Sequence, residues 1–168
     1  FLSVAGIGGA GGEMKAERFE KLAALGVRSV TLLLDNDKAG CDGILQAISH
    51  AQKGNQIPSL YVIDPSHLGD DKDPDEFVRR NGLRAFEKLL EHRTPANLYK
   101  SEILLGTISP QAPLSQKREA IERVLANTTE LRGPQAALDY EDILQLTSEK
   151  TGYSVEGIRE VATERISN

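Results

Sequence analysis

Two short acidic stretches hold the residues best suited to chemistry. Asp35-Asn36-Asp37-Lys38-Ala39-Gly40 follows the strongest apolar run of the chain, VRSVTLLL, and Asp70-Asp71-Lys72-Asp73-Pro74-Asp75-Glu76 follows a later one, IPSLYVI. Two aspartates one residue apart past a strand end aim both carboxylates at one place, where mutual repulsion favours a proton or a cation. Hard carboxylate oxygens on a rigid strand end, with room for water and phosphate oxygens, describe a Mg²⁺ or Mn²⁺ site. For D-x-D alone a plainer reading stands beside this one: a strand-ending turn in which an Asp caps the next helix. The second stretch also has a structural reading, with Asp73 as N-cap, Pro74 at N1 and Glu76 as a capping-box acid at N3. Capping does not account for Asp70, Asp71 and Asp75 in the same turn. Adjacent parallel strand ends would set the two loops side by side, gathering Asp35, Asp37, Asp73 and Asp75 around Lys38 and Lys72. Divalent metal is the economical remedy for that charge, and two ions would suit phosphoryl or nucleotidyl transfer.

The elements that must carry these loops alternate. FLSVA reads as a short buried strand ending in a glycine-rich turn. A helix follows over about 13–25, with Phe19, Leu22, Ala23 and Leu25 at helical spacing and Gly26 as its C-terminal cap, then the strand 27–35. A second helix covers about 39–53, IPSLYVID is a third strand, and PDEFVRRN is a short helix stopped by Gly82. Strand and helix in alternation predict an α/β fold, a mostly parallel open sheet with helices on both faces and a site at the strand C-termini. From Leu83 onward no strand pattern appears, and five helical segments are divided by Pro95, Pro110, Pro113, Gly133-Pro134 and Gly152. An α/β domain over 1–85 and an all-helical subdomain over 86–168 are expected.

Composition narrows the function. The 168 residues are 39% hydrophobic and 27% charged with a net charge of −5, which suits a folded domain without an overall basic footprint for nucleic acid. One cysteine, Cys41, excludes an intrachain disulfide and fits a reducing compartment, so a cytoplasmic location is expected. No apolar stretch approaches the ~18 residues of a membrane span. Arg79, Arg80 and Arg84 read as a solvated helix face, and Tyr99 and Tyr140 as packing residues. The sheet pattern beginning at Phe1 raises the expectation of a piece of a longer protein.

A rival site lies at the start. Gly6-Ile7-Gly8-Gly9-Ala10-Gly11 matches G-x-G-x-x-G, and Asp35 lies 24 residues after Gly11, close to where a dinucleotide fold places its ribose-binding acid. Extra glycines, a polar start to the following helix and the second acidic loop weigh against an NAD or FAD module. A backbone turn beside the acidic crevice accounts for it better.

LLLDNDKAG followed by KDPDEFVRRNG resembles the Toprim domain of bacterial DnaG-type primases, which pairs a D-x-D-x-A-G strand end with a later K-D-P-D-E turn. The resemblance covers about residues 1–85, and the helical remainder resembles, by position, the helical subdomain of a primase core. It implies that Asp35 and Asp37 are catalytic and, with Asp73 and Asp75, bind Mg²⁺ or Mn²⁺, and that Lys72 and Lys38 lie beside phosphates. It also implies RNA primer synthesis by the parent protein, with single-stranded DNA and nucleoside triphosphates as substrates and a replicative helicase as a further partner. Toprim domains open with a strand ending in Glu, and no such segment is found here. The chain is therefore expected to be a C-terminal fragment, inactive alone. Asn36 stands where the family frequently has Gly. The other rival is a non-catalytic Toprim scaffold that docks replication partners.

Overall fold

The computed structural model describes residues 14–131 and 133–167. The expected strand FLSVA, the glycine turn over residues 6–11 and Glu13 lie outside them. The first described element is helix α1 (Ala16–Ala24), which buries Phe19 completely. Strand β1 (Ser29–Leu32), helix α2 (Lys38–Ala51) and strand β2 (Ser59–Val62) follow. The β1 and β2 strands pair in parallel, with Ser29 opposite Ser59 and Leu32 opposite Val62, and Ile63 N–H extends the pairing to the Leu32 carbonyl at 3.0 Å. Alternation along a strand puts Val30, Leu32, Leu60 and Val62 on one face. There they join Phe19 of α1 and Ile44, Ala47, Ile48 and Ala51 of α2 in one core.

Beyond β2 come a 3₁₀ turn (Pro65–Leu68), helix α3 (Pro74–Asn81), helix α4 (Leu83–Leu89) and a second 3₁₀ turn (Leu90–His92). Ile63, Leu68, Phe86 and Leu89 form a separate apolar cluster beneath the second acidic loop. The α/β, mostly parallel sheet is as expected, but the expectation that no strand follows Leu83 needs correction. A two-residue strand β3 (Thr94–Pro95) pairs antiparallel with β2, Tyr61 opposite Pro95 and Val62 opposite Thr94, so the sheet is mixed, with order β1-β2-β3 among the described residues. Two residues give no alternation to read, and Pro95 offers no N–H to a ladder, so the pattern showed only a break.

Helices α5 (Ala96–Leu105), α6 (Leu114–Thr128), α7 (Ala136–Thr151) and α8 (Val155–Ser167) complete the described chain. Ala96 and Tyr99 place α5 in the core of the sheet, while Leu105 packs with Ala120, Val124 and Ile143 of α6 and α7. The adjacent α6 positions Ile121 and Leu125 turn toward Leu144, Ile158 and Ala162. Helix α6 thus serves two clusters through residues one position apart, as its 3.6-residue period allows.

Candidate functional site

Each acidic loop is shaped by the helix it opens into. Asp37 has extended φ/ψ and caps α2, its Oδ1 accepting the Gly40 N–H at 2.7 Å. Between Asp35 and that helix there is no spare space: a Cβ on Gly40 would lie 2.0 Å from the Asp35 carbonyl oxygen. Gly40 is therefore required by a close approach of two backbones, and the approach fixes the path of the D-x-D turn. Asp35 and Asp37 are both exposed at its surface.

The second loop is built in the same manner. Asp73 caps α3 by accepting the Glu76 N–H at 2.7 Å, and Pro74 occupies the first turn. Glu76 reaches back to the Lys72 N–H at 2.9 Å, one residue ahead of the position expected for a capping box. Asp75 is exposed and paired with Arg79 at 2.7 Å, four residues along the helix. Asp71 is only 3% exposed, with Arg80 Nη1 2.9 Å from Oδ1 and the Asn81 amide donating to Oδ2 at 3.0 Å. The charge of Arg80 reaches Oδ1 without an aligned hydrogen bond. Arg79 and Arg80 are thus engaged by the acidic loop and its helix, and Arg84 is exposed.

The two loops touch. Asn36 N–H donates to the Lys72 carbonyl at 2.7 Å, and its side-chain amide donates to the Gly69 carbonyl at 2.9 Å. The chemistry-bearing residues separated by more than thirty positions are thereby brought to neighbouring loops at the C-terminal ends of β1 and β2. Lys38 and Lys72 are exposed on those loops.

Asp64, two residues beyond β2, was not singled out from the sequence. Its Oδ1 accepts the Ser66 N–H at 2.9 Å and caps the 3₁₀ turn. Burial raises its pKa, but the Ser66 bonds and the Tyr99 hydroxyl outweigh that and hold the carboxyl below its usual range. Tyr99 is pushed up to about 12, first by burial and then by the Asp64 charge, so the phenol stays protonated and donates to it. Burial, then the charges of Asp64, Asp42 and Asp37, push the Cys41 thiol up. The signal for Asp64 was present in its position, the acid ending IPSLYVID as Asp35 ends VRSVTLLLD.

The donors suit a hard divalent cation: all are carboxylates, and each cap engages one oxygen of its aspartate, leaving acceptor capacity on the other. They are not gathered into a finished cage. Among the described residues no group of three or more His, Cys, Asp or Glu side chains stands ready to hold a metal. Tyr99 is buried in the sheet core, and Tyr140 packs at the α6–α8 cluster with the Arg159 guanidinium 5.9 Å from its ring, so both serve packing. No described helix is long and apolar enough to cross a membrane.

No protein-family model matches the chain. It is 25% identical over 156 residues to a DNA primase of Enterococcus faecalis, an alignment spanning 92% of this chain and 23% of that protein. A crystal structure of a DNA primase domain from Pseudomonas aeruginosa superposes with a TM-score of 0.66 at 25% identity, over 89% of this chain and 44% of that one. A structure of the DnaG catalytic core shares the fold, with a TM-score of 0.66 at 22% identity over 86% of this chain and 44% of that one. The chain thus spans about a quarter of its curated relative and under half of each solved chain. In sequence and in fold it is DNA primase-like, similar over nearly its whole length to part of a DnaG-type primase core.

Proposed function

We propose that this chain supplies the metal-binding crevice of a DNA primase, in which RNA primers are made on single-stranded DNA from nucleoside triphosphates. The observation that carries the reading is the 2.7 Å bond from Asn36 to Lys72, which sets the D-x-D turn against the D-P-D turn. Asp35, Asp37, Asp73 and Asp75 are the residues that would hold Mg²⁺ or Mn²⁺. Such ions, when bound, activate the attacking hydroxyl and stabilise charge on the transferring phosphoryl group. The protein's part is to hold the carboxylates at rigid helix starts, and Lys38 and Lys72 would meet phosphate oxygens there. Bound cations also reconcile a net charge of −5 with polyanionic substrates. A replicative helicase is the further partner this reading carries.

The test is calorimetric titration of the chain with Mn²⁺ and Mg²⁺, with NAD⁺ and ATP as parallel ligands. Asp35→Asn combined with Asp37→Asn is expected to abolish Mn²⁺ binding and leave the melting temperature nearly unchanged. Asparagine caps a helix about as well as aspartate, so Asn at position 37 keeps α2 intact while removing the charge. Unfolding of the double variant would make these residues structural caps. NAD⁺ binding without a metal effect would shift the function to the glycine turn.

A further inference from the structure

We propose that Asn36 is a positioning residue that sets the spacing of the Asp35-Asp37 pair from the Asp73-Asp75 pair, and with it the affinity of the crevice for a divalent cation. This rests on the metal reading above. Asn36 lies between two candidate ligands, so any shift of its main chain moves both. Its main-chain acceptor directly adjoins the other pair, and its side-chain acceptors lie within four residues of it. Lys72, whose carbonyl takes the main-chain N–H at 2.7 Å, directly precedes Asp73. The side-chain amide donates to Gly69 at 2.9 Å, with the Asp71 carbonyl at 3.5 Å.

Each loop is stiff by itself. Asp37 N–H bonds the Asp35 carbonyl at 2.8 Å, and the α2 cap closes the same turn at 2.7 Å. In the second loop Asp71 is anchored by Arg80 and Asn81, and Lys72 N–H by Glu76. Among the described residues, each hydrogen bond joining residues 35–38 to residues 69–76 has Asn36 as donor. The paired strands bring the two loops together, and past the last strand bond, Ile63 N–H to the Leu32 carbonyl, Asn36 supplies the hydrogen bonds that set their spacing.

The separation matters because a cation as small as Mg²⁺ tolerates little deviation from its octahedral shell. Loops held in place before binding also lose less freedom when the ion arrives. Glycine at this position would keep the main-chain bond to Lys72 and drop the side-chain bond to Gly69. The part of the clamp that the Asn36 side chain supplies is thus the carboxamide.

The experiment is Mn²⁺ calorimetry on the full chain and on Asn36→Gly, Asp73→Asn, their combination, and the Asp35→Asn/Asp37→Asn variant. Asn36→Gly is expected to raise the Mn²⁺ Kd about five- to tenfold, the equivalent of one hydrogen bond, with a melting temperature within a few degrees of wild type. Asp73→Asn should cost less affinity in the Asn36→Gly background than in wild type, because loops held by the main-chain bond alone share the ion less well. An unchanged Kd in Asn36→Gly, or strictly additive losses, overturns the clamp while loss of binding in the Asp35/Asp37 variant leaves the metal reading standing. Wild-type binding by that variant would remove the metal reading and the clamp with it. Should Asn36→Gly fail to fold, Asn36→Ser is measured in its place, and unfolding of both makes the residue purely structural and overturns the proposal.

Discussion

Gly40→Ala is expected to destabilise the protein by about 3 kcal/mol, the upper part of the range for overpacking. The added Cβ would stand 2.0 Å from the Asp35 carbonyl oxygen and 2.9 Å from its carbon, and both are backbone atoms without a rotamer to escape into. Alanine is worth up to about 1 kcal/mol over glycine inside a helix, which offsets only part of that clash. The Gly40 N–H also makes the Asp37 cap at 2.7 Å, so relief by moving the helix start would weaken the cap. Gly43→Ala is the matched control on the same helix. Its Cβ would meet only the Leu34 Cδ1 at 3.1 Å, a side chain that can turn aside, so helix propensity and crowding nearly cancel. Urea unfolding of both variants decides the matter. Equal losses would mean that glycine is wanted in α2 for some reason other than the approach to Asp35.

Gly40 also shows what could be read from the sequence. The turn into the helix was legible in D-x-D-x-A-G, because caps and glycines act within a few residues. So were the N-caps of α2 and α3 and the strand ends that carry them. Parallel strands side by side were enough to place the two acidic loops together. Asn36 is different. Its role depends on a bond to Gly69, thirty-three positions away, and a lone Asn in a turn gives no sign of such a partner. Asp71 looked like one more acid in a crowded turn, yet it is the buried one, because Arg80 and Asn81 of α3 fold back over it. The same limit hid a set of polar residues spread over four helices, each of which reads alone as part of a solvated face. That set carries the last prediction.

Asn97→Leu is expected to cost about 3–5 kcal/mol, since it strands a buried charged group together with an amide. Gln52 of the α2 end, Asn97 of α5, Asn127 of α6 and Asp139 of α7 are all 9% exposed or less. Asn97 sits at their centre, accepting from Gln52 at 3.1 Å and donating to Asp139 at 2.6 Å. Gln52 in turn accepts from Lys100 at 2.7 Å and lies 3.4 Å from its acceptor on Asn127. Leucine rather than alanine is the informative change. Gln52, Asn97 and Asp139 line a cavity of about 20 Å³, room for one water, which alanine would enlarge and leucine would not. Burial raises the Asp139 pKa, and the Asn97 bond pulls it partly back. A carboxyl with a raised folded-state pKa favours folding when protonated, and that contribution fades as pH rises through the folded value. Taking away Asn97 raises that value further, so the loss in Asn97→Leu should be smaller in mild acid than at neutral pH. Asp139→Asn removes the ionisation and should melt higher than wild type at neutral pH, with a flatter pH dependence. Thermal melts of the two variants and their combination across mild acid to neutral pH read all of this. A loss in Asn97→Leu that is the same at every pH would mean that Asp139 is not the group left unpaired. A loss below about 1 kcal/mol would place the junction's stability in the apolar clusters of α5, α6 and α7 instead.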